Sequence, residues 1–184
     1  MFFGTIYAEK GILVIAEKLE EFLENNPDYY FVFIGNATVI NGEESGQLLR
    51  RKAGKHRKRV IVWGSLPHKQ LYPIIKRADF VVLPSLMDNF SNACIEAMYF
   101  ERVVIGTDGA SFEQLIKHGD NGLLCKIGDP QDLLEKMQMA VSMNALEKIR
   151  MGRRARARIE KLDPKYVVRK LLRLYEYVIE NSKN

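Results

Sequence analysis

Short apolar runs recur along this chain, and most of them end on a glycine or a proline. They fall at 2–6, 30–34, Val60–Trp63, Phe80–Leu83, 103–105 and 122–125, with Gly35, Gly64, Pro84 and Gly106 closing four of them. Runs of this length and composition read as strands. Because they are apolar at nearly every position rather than at alternate ones, both faces of each strand are predicted to be buried. Segments with helical spacing lie between them. Ile12, Ile15, Ala16, Leu19, Phe22 and Leu23 form one such stripe before the stop at Asn25-Asn26-Pro27, and further helices are predicted near 46–54, 70–77, 92–100 and 112–117. Past Asp129-Pro130 the chain reads as helix throughout. One stripe there is Leu133, Leu134, Met137, Ala140 and Val141; another is Val168, Leu171, Leu172, Tyr175, Val178 and Ile179, in a last helix over about 164–181. The pattern predicts an α/β fold: a Rossmann-like, doubly wound parallel sheet of about six strands flanked by helices, with a helical C-terminus. Ligands of such folds bind outside the carboxyl ends of the strands, and the unusual residues of this chain all follow strand ends.

With 184 residues and 47% hydrophobic content, residues 1–184 are expected to form one domain. No apolar run approaches the roughly 20 residues of a spanning helix, and Met1-Phe2-Phe3-Gly4 leads straight into a strand, so no secretory leader is expected. Cys94 and Cys125 each sit in an apolar stretch without metal-ligand spacing, which predicts two buried thiols in a reducing, cytoplasmic compartment. The formal charge is +5, and much of the excess is clustered at Arg50–Arg59 and at Arg150, Arg153, Arg154, Arg156 and Arg158. Neither cluster is interleaved with the aromatics that base stacking uses, so no nucleic-acid partner is expected. Weak attraction to an anionic membrane surface, at its inner face, is compatible with the charge.

The most informative stretch runs from Leu83 to Met98. A buried strand breaks at Pro84, a polar loop follows, and a helix begins near Asn92. The free amides and dipole of a helix start suit a phosphate. Glu96 lies one turn into that helix among apolar neighbours. Its residues alone leave two readings open: a carboxylate that accepts from sugar hydroxyls, or an acid that only complements the helix dipole.

Asp88, seven residues, then Glu96, preceded by Pro84-Ser85 and followed by Ala97-Met98, resembles the signature of retaining GT-B glycosyltransferases of the family-four type, which usually carry Glu at both ends. The likeness extends over nearly the whole chain: Gly4-Thr5-Ile6 with Glu9-Lys10-Gly11, residues 31–35, Val62-Trp63-Gly64, Ala78-Asp79, Gly109 with Glu113, and Gly119 with Gly122-Leu123-Leu124. It implies the donor-binding, C-terminal domain of such an enzyme, transferring a hexosyl group from a nucleotide diphosphate sugar. Lys10 would meet the diphosphate, with Gly4 and Thr5 beside it. Asp88 would hold sugar hydroxyls, and the backbone of Asn89, Phe90, Ser91 and Asn92 would approach sugar and phosphates. Glu96 would accept from the ribose, Gly64, Ser65 and Leu66 would border the base, and Gly109 would lie near the sugar. Lys10, Asp88 and Glu96 are thus the implied catalytic set.

No Asp-x-Asp pair stands at a strand end, and His56, His68 and His118 lack ligand spacing, so neither a metal nor a cofactor is implied. The resemblance further implies a glycan or lipid-linked acceptor held by an N-terminal domain that these residues do not include. Several positions depart from the family: Thr5 replaces a common Arg, Asp88 is one methylene shorter than Glu, Glu101 and Val103 replace Gly and Pro, and Ala110 replaces a second glycine. Of these, Thr5 and Glu101 favour an alternative, a non-catalytic module that binds a nucleotide sugar or a partner as half of a split enzyme.

Overall fold

A computed structural model describes residues 1–181. Eight strands occur among them: β1 (Phe2–Phe3), β2 (Phe31–Ile34), β3 (Val39–Ile40), β4 (Glu43–Glu44), β5 (Val60–Trp63), β6 (Phe80–Leu83), β7 (Val103–Asp108) and β8 (Leu123–Lys126). The helices are α1 (Ile12–Asn25), α2 (Ser45–Lys52), α3 (His68–Arg77), α4 (Asn92–Tyr99), α5 (Pro130–Ser142), α6 (Ala145–Glu160) and α7 (Pro164–Asn181).

β1, β2 and β5 form one parallel set in the order β1-β2-β5, and β6-β7-β8 form another. They meet at β1 and β6, where Met1 N donates to the Phe80 carbonyl at 2.9 Å and Val82 N–H donates to the Met1 carbonyl at 2.8 Å. The six parallel strands therefore run β5-β2-β1-β6-β7-β8, reversing direction of travel at the β1/β6 boundary. Right-handed crossovers on either side of that boundary put α1 and α4 on opposite faces. α1 packs with α2 and α5, and α4 packs with α6. The core between them is strongly aromatic at one end: Phe31 stacks on Phe33 at 4.6 Å, and Phe22 meets both Phe31 and Phe80 edge-on at 6.2 Å.

The expected α/β sheet is thus present, with differences at its edges. The first strand is two residues rather than five, the fifth runs on to Asp108, and the region expected to be a helix at 112–117 is only a single 3₁₀ turn, Phe112–Gln114. Asn121 explains the last: its Oδ1 accepts from Lys117 N–H at 2.7 Å and its Nδ2 donates to the Leu115 carbonyl at 3.1 Å, so a side chain takes the groups a helix would use. The β3–β4 hairpin was not anticipated either. Asn41 and Gly42 at its tip have φ 51° and 83°, the paired positive angles of a two-residue turn.

Much of the clustered positive charge is consumed within the fold. Arg51 pairs with Glu43 at 2.6 Å, Lys55 pairs with Glu24, and Arg59 donates to the carbonyls of Asn26 and Tyr29 past the end of α1. On α6, Arg154 pairs with Asp120 at 3.0 Å, while Arg156 pairs with Glu160 and lies over the Tyr99 ring. The stripe Val168, Leu171, Leu172, Tyr175, Val178 and Ile179 of α7 is exposed throughout. Among the described residues no helix is long and apolar enough to cross a membrane.

α4 ends in a strained turn. Arg102 N–H reaches back to the Ala97 carbonyl and Glu101 N–H to that of Met98, both at 3.0 Å, with Glu101 itself at φ 59°. This is the left-handed closure that glycine usually provides. α6 crosses directly over it, since a Cβ on Gly152 would fall 2.1 Å from the Glu101 carbonyl oxygen. Replacing Glu101 by Gly should therefore raise the free energy of unfolding by about 0.5–1 kcal/mol, read from the urea midpoint.

Candidate functional site

β1 and β6 lead into helices on opposite faces, so the loops leaving their carboxyl ends diverge and open a crevice. Two contacts pin those loops together. Leu86 N–H donates to the Glu9 carbonyl at 2.8 Å. Gly11 lies so close to the Pro84 carbonyl that a Cβ there would fall 1.8 Å from its oxygen. Gly11 also has φ 74°, so both its backbone angle and its surroundings require glycine.

Lys10, immediately before Gly11, is thereby aimed at the second loop. Its Nζ donates to Asp88 Oδ2 at 2.7 Å, with the two side chains only 27% and 12% exposed. Asp88 also accepts from Asn89 N–H at 3.1 Å through Oδ1. Beside this pair opens a cavity of about 250 Å³, lined by Gly4, Lys10, Ser85, Asp88, Phe90, Ser91 and Asn92 together with Phe2, Phe3 and Leu83. α4 starts at its rim, capped by Ser91, whose Oγ accepts from Cys94 N–H at 3.4 Å. The first amides of that helix have no acceptor within it and carry the positive end of its dipole. A cation, a helix start and a carboxylate around one cavity suit a ligand that carries both an anion and hydroxyl groups.

Glu96 lies one turn further along α4 and faces α3. Its Oε1 is 3.4 Å from His68 Nε2, and its side chain is 23% exposed. Burial raises its pKa above the ordinary carboxylate value, and His68 partly opposes that rise. Glu96 does not line the 250 Å³ cavity, although Asn92, one turn before it, does. Gly64, Ser65 and Leu66 form the connector from β5 that leads through Pro67 into His68. Thr5 borders a neighbouring depression with Tyr7, Glu9, Thr38 and Asn41. Asn89 is exposed beside Asp88, and Gly109 is exposed just past β7 with φ 89°.

Of the residues expected from the sequence, Gly4, Lys10, Asp88, Phe90, Ser91 and Asn92 surround one cavity. Glu96 stands apart on α4 beside His68, into which the 64–66 connector leads, and Thr5, Asn89 and Gly109 do not line the cavity. His68 was missed, because its pairing with Glu96 crosses between helices and leaves no local pattern. The hairpin bordering Thr5 was missed too, although Asn41-Gly42 was an available signal.

Other candidates carry less. A groove of about 510 Å³ lined by Tyr29, Tyr30, Ile74, Arg77 and Asp79 lies at the amino ends of β2 and β6, the end of the sheet where ligands of this fold class do not sit. Cys94 and Cys125 are buried; burial pushes both thiols up, that of Cys125 to about 11, so neither is a ready nucleophile. Among the described residues no group of three or more His, Cys, Asp or Glu is placed to hold a metal ion.

Comparison with known proteins gives this arrangement a context. The family described as Glycosyl transferases group 1 matches residues 1–143. The UDP-Gal:alpha-D-GlcNAc-diphosphoundecaprenol alpha-1,3-galactosyltransferase of Escherichia coli is 25% identical over 174 residues, which cover 89% of this chain and 44% of that protein. A mutant of S. aureus TarM, crystallised with fondaparinux, alpha-GlcNAc-glycerol and UDP, superposes with a TM-score of 0.79 at 21% identity, covering 95% of this chain and 35% of that one. The C-terminal domain of a glycosyl transferase group 1 family protein (LpcC) from Francisella tularensis superposes with a TM-score of 0.71 at 23% identity, covering 87% of this chain and 83% of that domain. The structural likenesses establish the fold. The chain spans less than half the length of the curated relatives it matches.

Two measurements test the geometry. Gly11→Ala should destabilise the protein by about 2 kcal/mol or more, because a left-handed angle and an overlap with Pro84 add together; an unchanged urea midpoint would refute the pinned loops. Folded Glu96 keeps its proton to a higher pH than the unfolded chain does. Its contribution to stability is therefore present below the ordinary 4.5 and is lost as pH rises through the folded value. Glu96→Gln should accordingly melt with the parent below pH 4.5 and above it at pH 7; equal melting temperatures at both would remove the desolvated charge.

Proposed function

This chain belongs to the group 1 glycosyl transferases, and we propose that it forms the donor-binding half of such an enzyme, holding a nucleotide diphosphate sugar at the β1/β6 crevice. Its fold is that of a C-terminal, GT-B-type domain. The observation that carries the proposal is the Lys10–Asp88 ion pair at 2.7 Å, set over a cavity that α4 enters by its amino end.

In this reading the diphosphate takes Lys10 and the first amides of α4 as partners. Asp88, released from Lys10, turns to hydroxyls of the sugar. Glu96 accepts from the ribose, and the 64–66 connector borders the base. Phe90, Ser91, Asn92 and Gly4 shape the cavity around sugar and phosphates, and Asn89, Gly109 and Thr5 would approach the donor from outside it. When the bond from the anomeric carbon to the diphosphate oxygen breaks, negative charge grows on the leaving group. Lys10 and the helix start are already in place to stabilise it, without reorganisation at that moment. The anomeric carbon then bonds to the acceptor oxygen on the face from which the diphosphate left, the acceptor hydroxyl passing its proton to the departing diphosphate oxygen, so configuration is retained.

Acceptor residues are assigned to a second domain outside these 184 residues, in keeping with the greater length of the relatives. The E. coli relative is named for a diphosphoundecaprenol acceptor, which supports a lipid-linked or glycan acceptor here and a peripheral position at the cytoplasmic membrane face. A second reading, binding without transfer, draws on Thr5. Lys10 then has no neighbouring arginine to share the leaving charge, and Thr5 borders a different depression.

Calorimetry with UDP, GDP, ADP and their sugar conjugates tests the site. Lys10→Ala should weaken the best nucleoside diphosphate by about tenfold or more, the loss of a charged hydrogen bond. Asp88→Asn should leave that ligand bound at least as tightly while weakening its sugar conjugate. Absence of heat from every ligand would end the donor reading, and bound donor that is never hydrolysed, even with an acceptor domain added, would favour the second.

A further inference from the structure

Between the 64–66 connector and Glu96 stands a side chain that neither the motif nor the family pattern singles out. His68 opens α3 directly after Pro67. Its side chain is 68% exposed, yet it is held in place: the ring stacks on Tyr72 at 5.0 Å and 9°, and Tyr72 in turn packs on Phe100 at 4.8 Å. An ordered but solvent-facing imidazole, with Nε2 3.4 Å from Glu96 Oε1, leaves Glu96 Oε2 free.

We propose that His68 is a positioning residue of the nucleotide site, acting through Glu96 to hold that carboxylate ionised and oriented for the ribose hydroxyls. The inference rests on the assignment of Glu96 to the ribose. A carboxylate accepts from two hydroxyls only while it is charged, and burial works against that charge. The titratable groups that face Glu96 are His68 and Tyr72, both from α3. Of the two, only His68 favours the ionised acid, because the Tyr72 phenol gains nothing from a second negative charge beside it. Stacking on Tyr72 restrains the imidazole before ligand arrives, so little side-chain freedom remains to be lost on binding.

The test uses the full chain and the tightest of UDP, GDP and ADP, each with its 2′-deoxy counterpart, titrated from pH 5 to 8. Removing His68 (His68→Ala) should weaken the ribonucleotide by about three- to tenfold at pH 7. It should also shift the acid-side loss of affinity to higher pH and shrink the preference for ribo over 2′-deoxy. His68→Gln, which keeps a polar side chain there but no ionisable ring, should restore part of the affinity without restoring the pH profile. In a Glu96→Ala background His68→Ala should add nothing, because the residue it acts through is gone. His68→Ala with parental affinity, pH profile and 2′-hydroxyl preference would overturn the inference while leaving the ribose assignment standing, and so would an undiminished effect in the Glu96→Ala background. No binding of any nucleotide by the parent, or binding indifferent to Glu96→Ala, would take down the ribose assignment and this inference together.

Discussion

The contact between Gly11 and the Pro84 carbonyl is the constraint from which the rest of the site follows. It joins the loops that leave β1 and β6, the two strands at which the sheet reverses its order of winding. Any side chain at position 11 would force those loops apart, because a Cβ there would overlap backbone rather than a movable side chain. With the loops together, Lys10 reaches Asp88 across them, and the start of α4 is fixed at the rim of the same cavity. A fold-level feature, the switch point, thereby becomes a chemical one through a single residue that has no side chain.

The same helix that supplies the site's positive end is secured at its other end under strain. Glu101 closes α4 in a left-handed turn, and Gly152 of α6 lies against its carbonyl. The arrangement resists displacement because α6 occupies the space the turn would need in order to relax. Strain of this kind persists only where packing over-determines it. Here it lies at the far end of α4 from the cavity, so the helix that carries Asn92 and Glu96 is anchored at both ends, by the Ser91 cap and by the Glu101–Gly152 contact.

The central strands were legible in the sequence because burial on both faces leaves short apolar runs that end on glycine or proline, too short for a helix. Phe31–Ile34 and Phe80–Leu83 are the clear cases. The 112–117 segment was misread because its competitor, Asn121, lies beyond the window in which helical spacing is judged. The candidate residues near the switch point were reached through the family resemblance, since a Lys-Gly turn by itself reads as an ordinary solvated turn and a helix start only as a general anion site. The partnership of Glu96 with His68 was not legible, since their 3.4 Å approach depends on how α3 and α4 pack. The seven-residue spacing from Asp88 to Glu96 also conceals their separation. Asp88 belongs to the loop and Glu96 to the helix, so the interval crosses from one kind of backbone to another and does not put the acids on a common face.

The shorter acid at position 88 gives the site its character. A carboxylate on a single methylene, held through Oδ1 by Asn89 N–H from its own loop, stays at the cavity while Oδ2 meets Lys10. The pair is largely shielded from water, so leaving either member alone would strand a poorly solvated charge. A ligand that offered only phosphate would satisfy Lys10 and abandon Asp88, and one that offered only hydroxyls would do the reverse. A nucleotide diphosphate sugar carries both groups on one molecule and satisfies the two sides at once. If the donor site is as proposed, selection for the intact donor over its fragments follows from the pairing of these two side chains, before any contact with the sugar's particular stereochemistry is considered.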